Sequence, residues 1–137
     1  MKVYLGFTVM GSREKLEIAR HLAMLLQARG HKVLTTHLLS RNARDEEALN
    51  APEFVFERDM RWIKEADVVV AEVTNKSFGV AFEIGYASAA NKKVYMLYDE
   101  SLKETISKMA TGNTLKNVVR ISYNSINDIN KFVEKYF

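Results

Sequence analysis

The stretch Asp67-Val68-Val69-Val70-Ala71-Glu72-Val73 decides the fold. It is β-branched and apolar on both faces, as a strand covered on both sides must be, and such strands belong to the middle of parallel sheets. Reading outward on the N-terminal side, residues 2–7 (KVYLGF) predict a first strand and residues 32–36 a second. Residues 12–29 between them predict a helix, with Ser12 as N-cap and Leu16, Ala19, Leu22, Ala23 and Leu26 at helical spacing. Gly30 is its natural stop. A polar loop is expected over 37–51, and Pro52 opens a helix to residue 66.

On the C-terminal side, a small-residue helix is expected over 79–90 and a strand over 93–98. A short helix over 102–109, a strand over 118–122 and a closing helix over 126–137 follow. Alternation of this kind gives parallel strands joined by right-handed crossovers, with helices on both faces. The expected fold class is therefore α/β, a three-layer sandwich around a five-stranded parallel sheet. In such sheets ligands bind beyond the carboxyl ends of the strands, where strand order reverses.

The chain has 137 residues, enough for one domain with its own core, and we expect a single domain over 1–137. It is 47% hydrophobic and 27% charged, the balance of a globular protein. The absence of cysteine excludes disulfides, thiolate catalysis and cysteine-ligated zinc. The three histidines, at 21, 31 and 37, lack metal-ligand spacing, so neither a metal nor a cofactor is expected. Neither G-x-x-x-x-G-K-[ST], G-x-G-x-x-G nor G-x-S-x-G occurs. Twenty basic residues against 17 acids give a net charge of +3, spread along the chain. That pattern carries no stripe for a nucleic-acid polymer; it serves solubility or favours a small anionic ligand. No run is apolar enough to span a bilayer and no leader is apparent, so a cytoplasmic protein is expected.

Two carboxylates stand out. Asp59 shares its helical stripe with Val55, Trp62, Ile63 and Ala66, a costly place for a charge unless it is paired or used. Arg58 and Arg61 fall elsewhere on the wheel, and neither is an obvious partner. Glu83 is the only ionisable group between Ser77 and Ala90 apart from the Tyr86 phenol. Its helix is small or apolar all round, which predicts burial and makes Glu83 a candidate nucleophile or base. Glu72 reads as a solvated strand-end acid, and Tyr4 as a core residue.

The run Arg58-Asp59-Met60-Arg61-Trp62-Ile63-Lys64-Glu65-Ala66, continuing through Thr74, with Ser77-x-Gly79-x-x-x-Glu83-x-Gly85-x-Ala87 beyond it, closely resembles the 2′-deoxynucleoside 5′-phosphate N-hydrolases. These group with the nucleoside 2-deoxyribosyltransferases. The resemblance implies a flavodoxin-like sheet and a homodimer whose sites are completed across the interface. It makes Glu83 the nucleophile, Asp59 the general acid/base, and Tyr4 the residue that orients the Glu83 carboxylate. Thr8, Val9, Met10, Gly11, Ser12 and Arg13 would cradle the nucleotide. Ser77, and Ser107 of the partner subunit, would contact the 5′-phosphate. His37, Gly79, Lys108 and Met109 complete the expected substrate-binding set. The transferases carry an acid six residues before the nucleophile; Ser77 there is the hydrolase type. Met10 departs from the hydrolase pattern, which has an arginine in that loop, and Lys108 or Arg13 are the expected substitutes.

Overall fold

The computed structural model describes residues 1–10 and 14–137. Five strands, β1 Lys2–Gly6, β2 Lys32–Val33, β3 Val68–Glu72, β4 Lys93–Asp99 and β5 Val118–Tyr123, form one parallel sheet in the order β2-β1-β3-β4-β5. This is the flavodoxin-like order, and it reverses between β1 and β3. All five residues of β3 are buried.

Strand alternation sorts the side chains into two cores. Val3, Leu5, Val68, Val70 and Leu97 meet α1 Leu16–Ala28 and α6 Ile126–Tyr136 through Leu22, Leu26, Ile129, Phe132 and Val133. Tyr4, Val69, Ala71 and Met96 meet α3 Pro52–Glu65 and α4 Phe78–Ala89 through Met60, Ile63, Val80, Ile84 and Ala87. The helix stops are as anticipated: Gly30 takes a left-handed φ of 79° after α1, and Pro52 occupies the first turn of α3. A reciprocal Ser125–Asp128 capping box starts α6. The expected N-cap Ser12 lies outside the described residues.

Three expectations are revised. β2 ends at Val33, because the buried Thr35 meets Leu5 through its side chain: its hydroxyl donates to Leu5 O (2.8 Å) and accepts from Leu5 N (3.2 Å). That local bonding replaces further ladder. Residues 37–51 are not an irregular loop. A 3-10 turn at Thr36–Leu39 and the short helix α2 Ala43–Ala48 bury Leu38 and Ala43. The expected helix over 102–109 is instead a 3-10 segment, Glu100–Thr105, followed by one turn of helix, α5 Lys108–Thr111.

Glu72 is also not solvated. It is 2% exposed, accepts from the Tyr123 hydroxyl (2.8 Å) and Thr74 N (3.3 Å), and is bonded by the Thr74 hydroxyl. Asp99 N donates to that same hydroxyl, and Lys15 Nζ reaches Asp99 Oδ2 at 2.6 Å. The carboxyl can be buried because these donors satisfy it. Burial nevertheless raises its pKa above the ordinary carboxylate range. The network ties together the ends of β3, β4 and β5 on the face away from α4.

Candidate active site

Tyr4, Gly6 and Ala71 point from the sheet toward α4, and that direction sets the site. A Cβ on Gly6 would sit 3.0 Å from Glu83 Oε2, 3.5 Å from the Ala71 methyl and 3.7 Å from Val80. Glycine therefore lets the Glu83 carboxylate lie against the end of β1. The Tyr4 hydroxyl lies beside it, 0% of the residue being exposed. The hydroxyl draws the Glu83 pKa down somewhat, yet neither it nor Oε2 completes a well-aligned hydrogen bond among the described residues. Burial dominates and pushes the Glu83 carboxyl up to about 8. Burial, and then the Glu83 charge, hold the Tyr4 phenol far above its ordinary range.

Asp59 faces the same cavity from α3 and does have a partner. Arg58 Nε donates to Asp59 Oδ1 at 2.9 Å, which corrects the helical-wheel expectation. Adjacent helical positions point apart, but a guanidinium is long enough to fold back along its own helix. Arg58 is buried at 6% exposure. Its Nη1 and Nη2 donate to Glu47 Oε1 (2.7 Å) and Oε2 (3.0 Å), a bidentate pair with α2. Its plane lies 5.8 Å from the Phe54 ring and 5.1 Å from the Trp62 ring. Burial alone would raise the Glu47 carboxyl, but Arg58 outweighs it and holds the group below its ordinary value.

The cavity has two adjoining lobes. One, of about 370 Å³, is lined by Thr8, Val9, Met10, Arg58, Asp59, Lys76, Ser77, Gly79 and Glu83 among others. The second, of about 520 Å³, shares Met10, Asp59, Gly79 and Glu83 and adds an apolar wall of Pro52, Val55, Phe56, Met60, Phe78 and Phe82. These sizes suit a ligand of nucleotide dimensions. A separate groove of about 480 Å³ runs along the other side of α4, lined by Ser107 and Met109 and sharing Lys76, Ser77 and Phe78. Among its described lining residues Lys76 is the one ionisable group, whereas the Glu83 cavity gathers three carboxylates and two cations.

Of the expected site residues, Tyr4, Asp59 and Glu83 come together, with Thr8, Val9, Met10, Ser77 and Gly79 around them. Ser77 also caps α4, its hydroxyl accepting from Val80 N (3.3 Å). Ser107 and Met109 lie in the separate groove of the same chain, and Lys108 lines neither space. Gly11, Ser12 and Arg13 lie outside the described residues. His37 lines neither lobe; its ring is tilted 56° against that of Trp62 at 5.1 Å, with Nε2 3.4 Å from Glu47 Oε1 but poorly aligned for a hydrogen bond. Burial and the Arg58 charge lower its pKa. Among the described residues no group of three His, Asp or Glu side chains could hold a metal.

The α4 helix is not buried all round. Val80, Ile84 and Ala87 face the sheet, while Phe78 is 91% and Phe82 47% exposed in the single chain. Among the described residues its second apolar stripe stays largely exposed, Phe82 meeting the Phe56 ring at 6.2 Å. Arg58, Glu47 and Gly6 are the residues of the candidate site that sequence reasoning missed. The Gly6 position could have been found from strand alternation, since it shares a face with Tyr4.

The model of the nucleoside 2-deoxyribosyltransferase family matches residues 3–118. The chain belongs to the nucleoside 2-deoxyribosyltransferase family. Within that family it is 39% identical over 135 residues to a putative 2′-deoxynucleoside 5′-phosphate N-hydrolase 1 of Thermofilum pendens, covering 98% of this chain and 92% of the relative. It is 30% identical over 138 residues to the 5-hydroxymethyl-dUMP N-hydrolase of Danio rerio, covering 100% and 96%. Among solved structures, the CMP N-glycosidase of Clostridium botulinum superposes with a TM-score of 0.73 at 27% identity, over the full length of both chains. The five-stranded parallel sheet is the fold of this transferase family.

Proposed function

We propose that the chain hydrolyses the N-glycosidic bond of 2′-deoxynucleoside 5′-monophosphates, releasing the nucleobase and 2-deoxyribose 5-phosphate. The observation that carries this reading is the unpartnered Oε2 of Glu83, held between Tyr4 and Gly6 at the wall of a cavity that Asp59 also lines. Bond cleavage passes through an oxocarbenium-like state, and a carboxylate under the sugar stabilises that charge and then bonds to the anomeric carbon. Asp59 protonates the departing base, and later takes the proton from the water that attacks the same carbon and frees Glu83. Both steps invert, so the configuration is retained. Tyr4 orients the carboxylate. The Arg58 hydrogen bond fixes the Asp59 side chain against the leaving group.

Ser77 supports a phosphate-bearing substrate, because a hydroxyl can bond a phosphate where a carboxylate would repel it. The apolar lobe with Phe56, Phe78 and Phe82 suits the flat base. The uncovered stripe of α4 supports a homodimer in which Ser107 of the partner subunit completes the phosphate site. No helix among the described residues is long and apolar enough to cross a membrane, and a cytoplasmic location goes with a nucleotide substrate.

The test is a panel of deoxynucleoside monophosphates incubated with the enzyme, with base release followed by chromatography. The absence of release from every member at high enzyme concentration removes the proposal. Intact-mass analysis of rapidly quenched reactions should show a deoxyribose phosphate adduct on wild type and none on Glu83→Gln. Two further readings have particular support. The Clostridium relative acts on CMP, which favours including ribonucleotides in the panel. Met10, 58% exposed at the cavity, brings no positive charge, which favours a transferase on free nucleosides. In that case an added acceptor base would form a new nucleoside faster than water forms free sugar.

A further inference from the structure

We infer that Lys76 is the phosphate-selecting residue of this site, acting with the first turn of α4 to hold the 5′-phosphate of the nucleotide. The inference rests on the proposed nucleotide reading and deepens it.

The described residues lining the Glu83 lobe include three carboxylates, Glu47, Asp59 and Glu83, and two cations, Arg58 and Lys76. A phosphate entering beside three acids is repelled unless a free cation meets it. Arg58 cannot serve: its Nε is given to Asp59, and Nη1 and Nη2 to Glu47. Met10 offers no charge, and Lys108 does not line the lobe. Lys76 is exposed and enters no ion pair among the described residues.

Its position is suited to the role. Lys76 directly precedes Ser77, the N-cap of a twelve-residue helix. Phe78 and Gly79 are the first two helical residues, whose N–H groups have no acceptor within the helix. Such N–H groups and the positive end of the helix favour an anion. A Cβ at Gly79 would find only Ser77 Oγ within 4 Å, at 3.9 Å, so the backbone there is open to close approach. One turn further along the same helix stands Glu83, which lines the same lobe as Lys76, Ser77 and Gly79 and, in the proposed function, meets the anomeric carbon. A nucleotide bound with its anomeric carbon at Glu83 and its 5′ end at the start of α4 would bring its phosphate beside Lys76.

The experiment compares kcat/KM for dUMP and dGMP with that for deoxyuridine and deoxyguanosine, in wild type, Lys76→Met and Lys76→Arg. The preference for monophosphate over nucleoside should fall about tenfold or more in Lys76→Met, through KM, and be largely kept in Lys76→Arg. Raising the salt concentration should erode the wild-type preference and leave that of Lys76→Met nearly flat. A Lys76→Met preference within about twofold of wild type overturns the inference. If wild type cleaves none of the four substrates, the proposed function fails, and Lys76 is judged by calorimetric binding instead. A dUMP-over-deoxyuridine affinity gap in Glu83→Gln that Lys76→Met closes would sustain the phosphate role, and a gap that Lys76→Met leaves open, or no gap, would end it.

Discussion

Glu83→Gln should make the protein more stable while stopping turnover, and the gain should grow with pH. Glu83 releases its proton near 4.5 in the unfolded chain and at about 8 in the folded one. Below about pH 4.5 both states hold the proton, and the buried group costs no charge. Between about 4.5 and 8 the folded state holds the extra proton, so stability falls as pH rises, and the loss is complete above about 8. A gap of about 3.5 pH units at ~1.4 kcal/mol each sets that loss at ~5 kcal/mol, with ~3 kcal/mol already gone at pH 7. Glutamine carries no such cost at any pH. Urea unfolding followed by the fluorescence of Trp62, the single tryptophan, reads the difference. At about pH 4.5 the two proteins should differ only by the amide substitution itself, and by about pH 8.5 the variant should have gained several kcal/mol on wild type. A difference that stays constant across this range would show that the carboxylate is not held in a poorly solvated place, and the argument for its activation would go with it.

The same ionisation governs rate. In the proposed mechanism Glu83 acts deprotonated and Asp59 protonated, so the Glu83 limb is read in Asp59→Asn with a p-nitrophenyl 2-deoxyribose 5-phosphate, whose leaving group needs no proton. There kcat/KM should climb about tenfold per pH unit below a bend near 8; a profile flat from about pH 5 to 8 would exclude Glu83 as the attacking group. Gly6→Ala adds a methyl 3.0 Å from Glu83 Oε2, so it should cut kcat by about a hundredfold while circular dichroism and the dUMP affinity of the folded protein change little; near-normal turnover would refute the close approach. Arg58→Met leaves Glu47 and Asp59 without their shared cation and should cost ~3 kcal/mol in urea unfolding, part of it restored by adding Glu47→Gln; a cost under ~1 kcal/mol would mean the ion pair is not formed in solution.

The sheet was legible because β3 is apolar on both faces and because Gly30 and Pro52 mark the end of α1 and the start of α3. Tyr4, Asp59 and Glu83 could be chosen from the sequence because a carboxylate on an apolar stripe is conspicuous and the motif resemblance raised the tyrosine with them. What escaped was pairing over distance. Glu47 sits in an acidic stretch where no periodicity distinguishes it from Asp45 or Glu46, and only the fold brings it to Arg58. Glu72 looked solvated because its donors, Tyr123 and Thr74, come from another strand and from the following turn. The short β2 was misread because nothing in the sequence shows that Thr35 would bond Leu5 through its hydroxyl. Helix α4 was judged by composition alone, and composition cannot say whether its second apolar stripe meets the same chain.

The Arg58 fork has one more implication. Asp59, the proposed proton donor, is steadied by a guanidinium whose other end is gripped from a different stretch of chain, residues 36–51. Whatever displaces that stretch therefore also slackens the grip on the proton donor, so the fit of the site's outer wall and the aim of its acid are set by a single fastening.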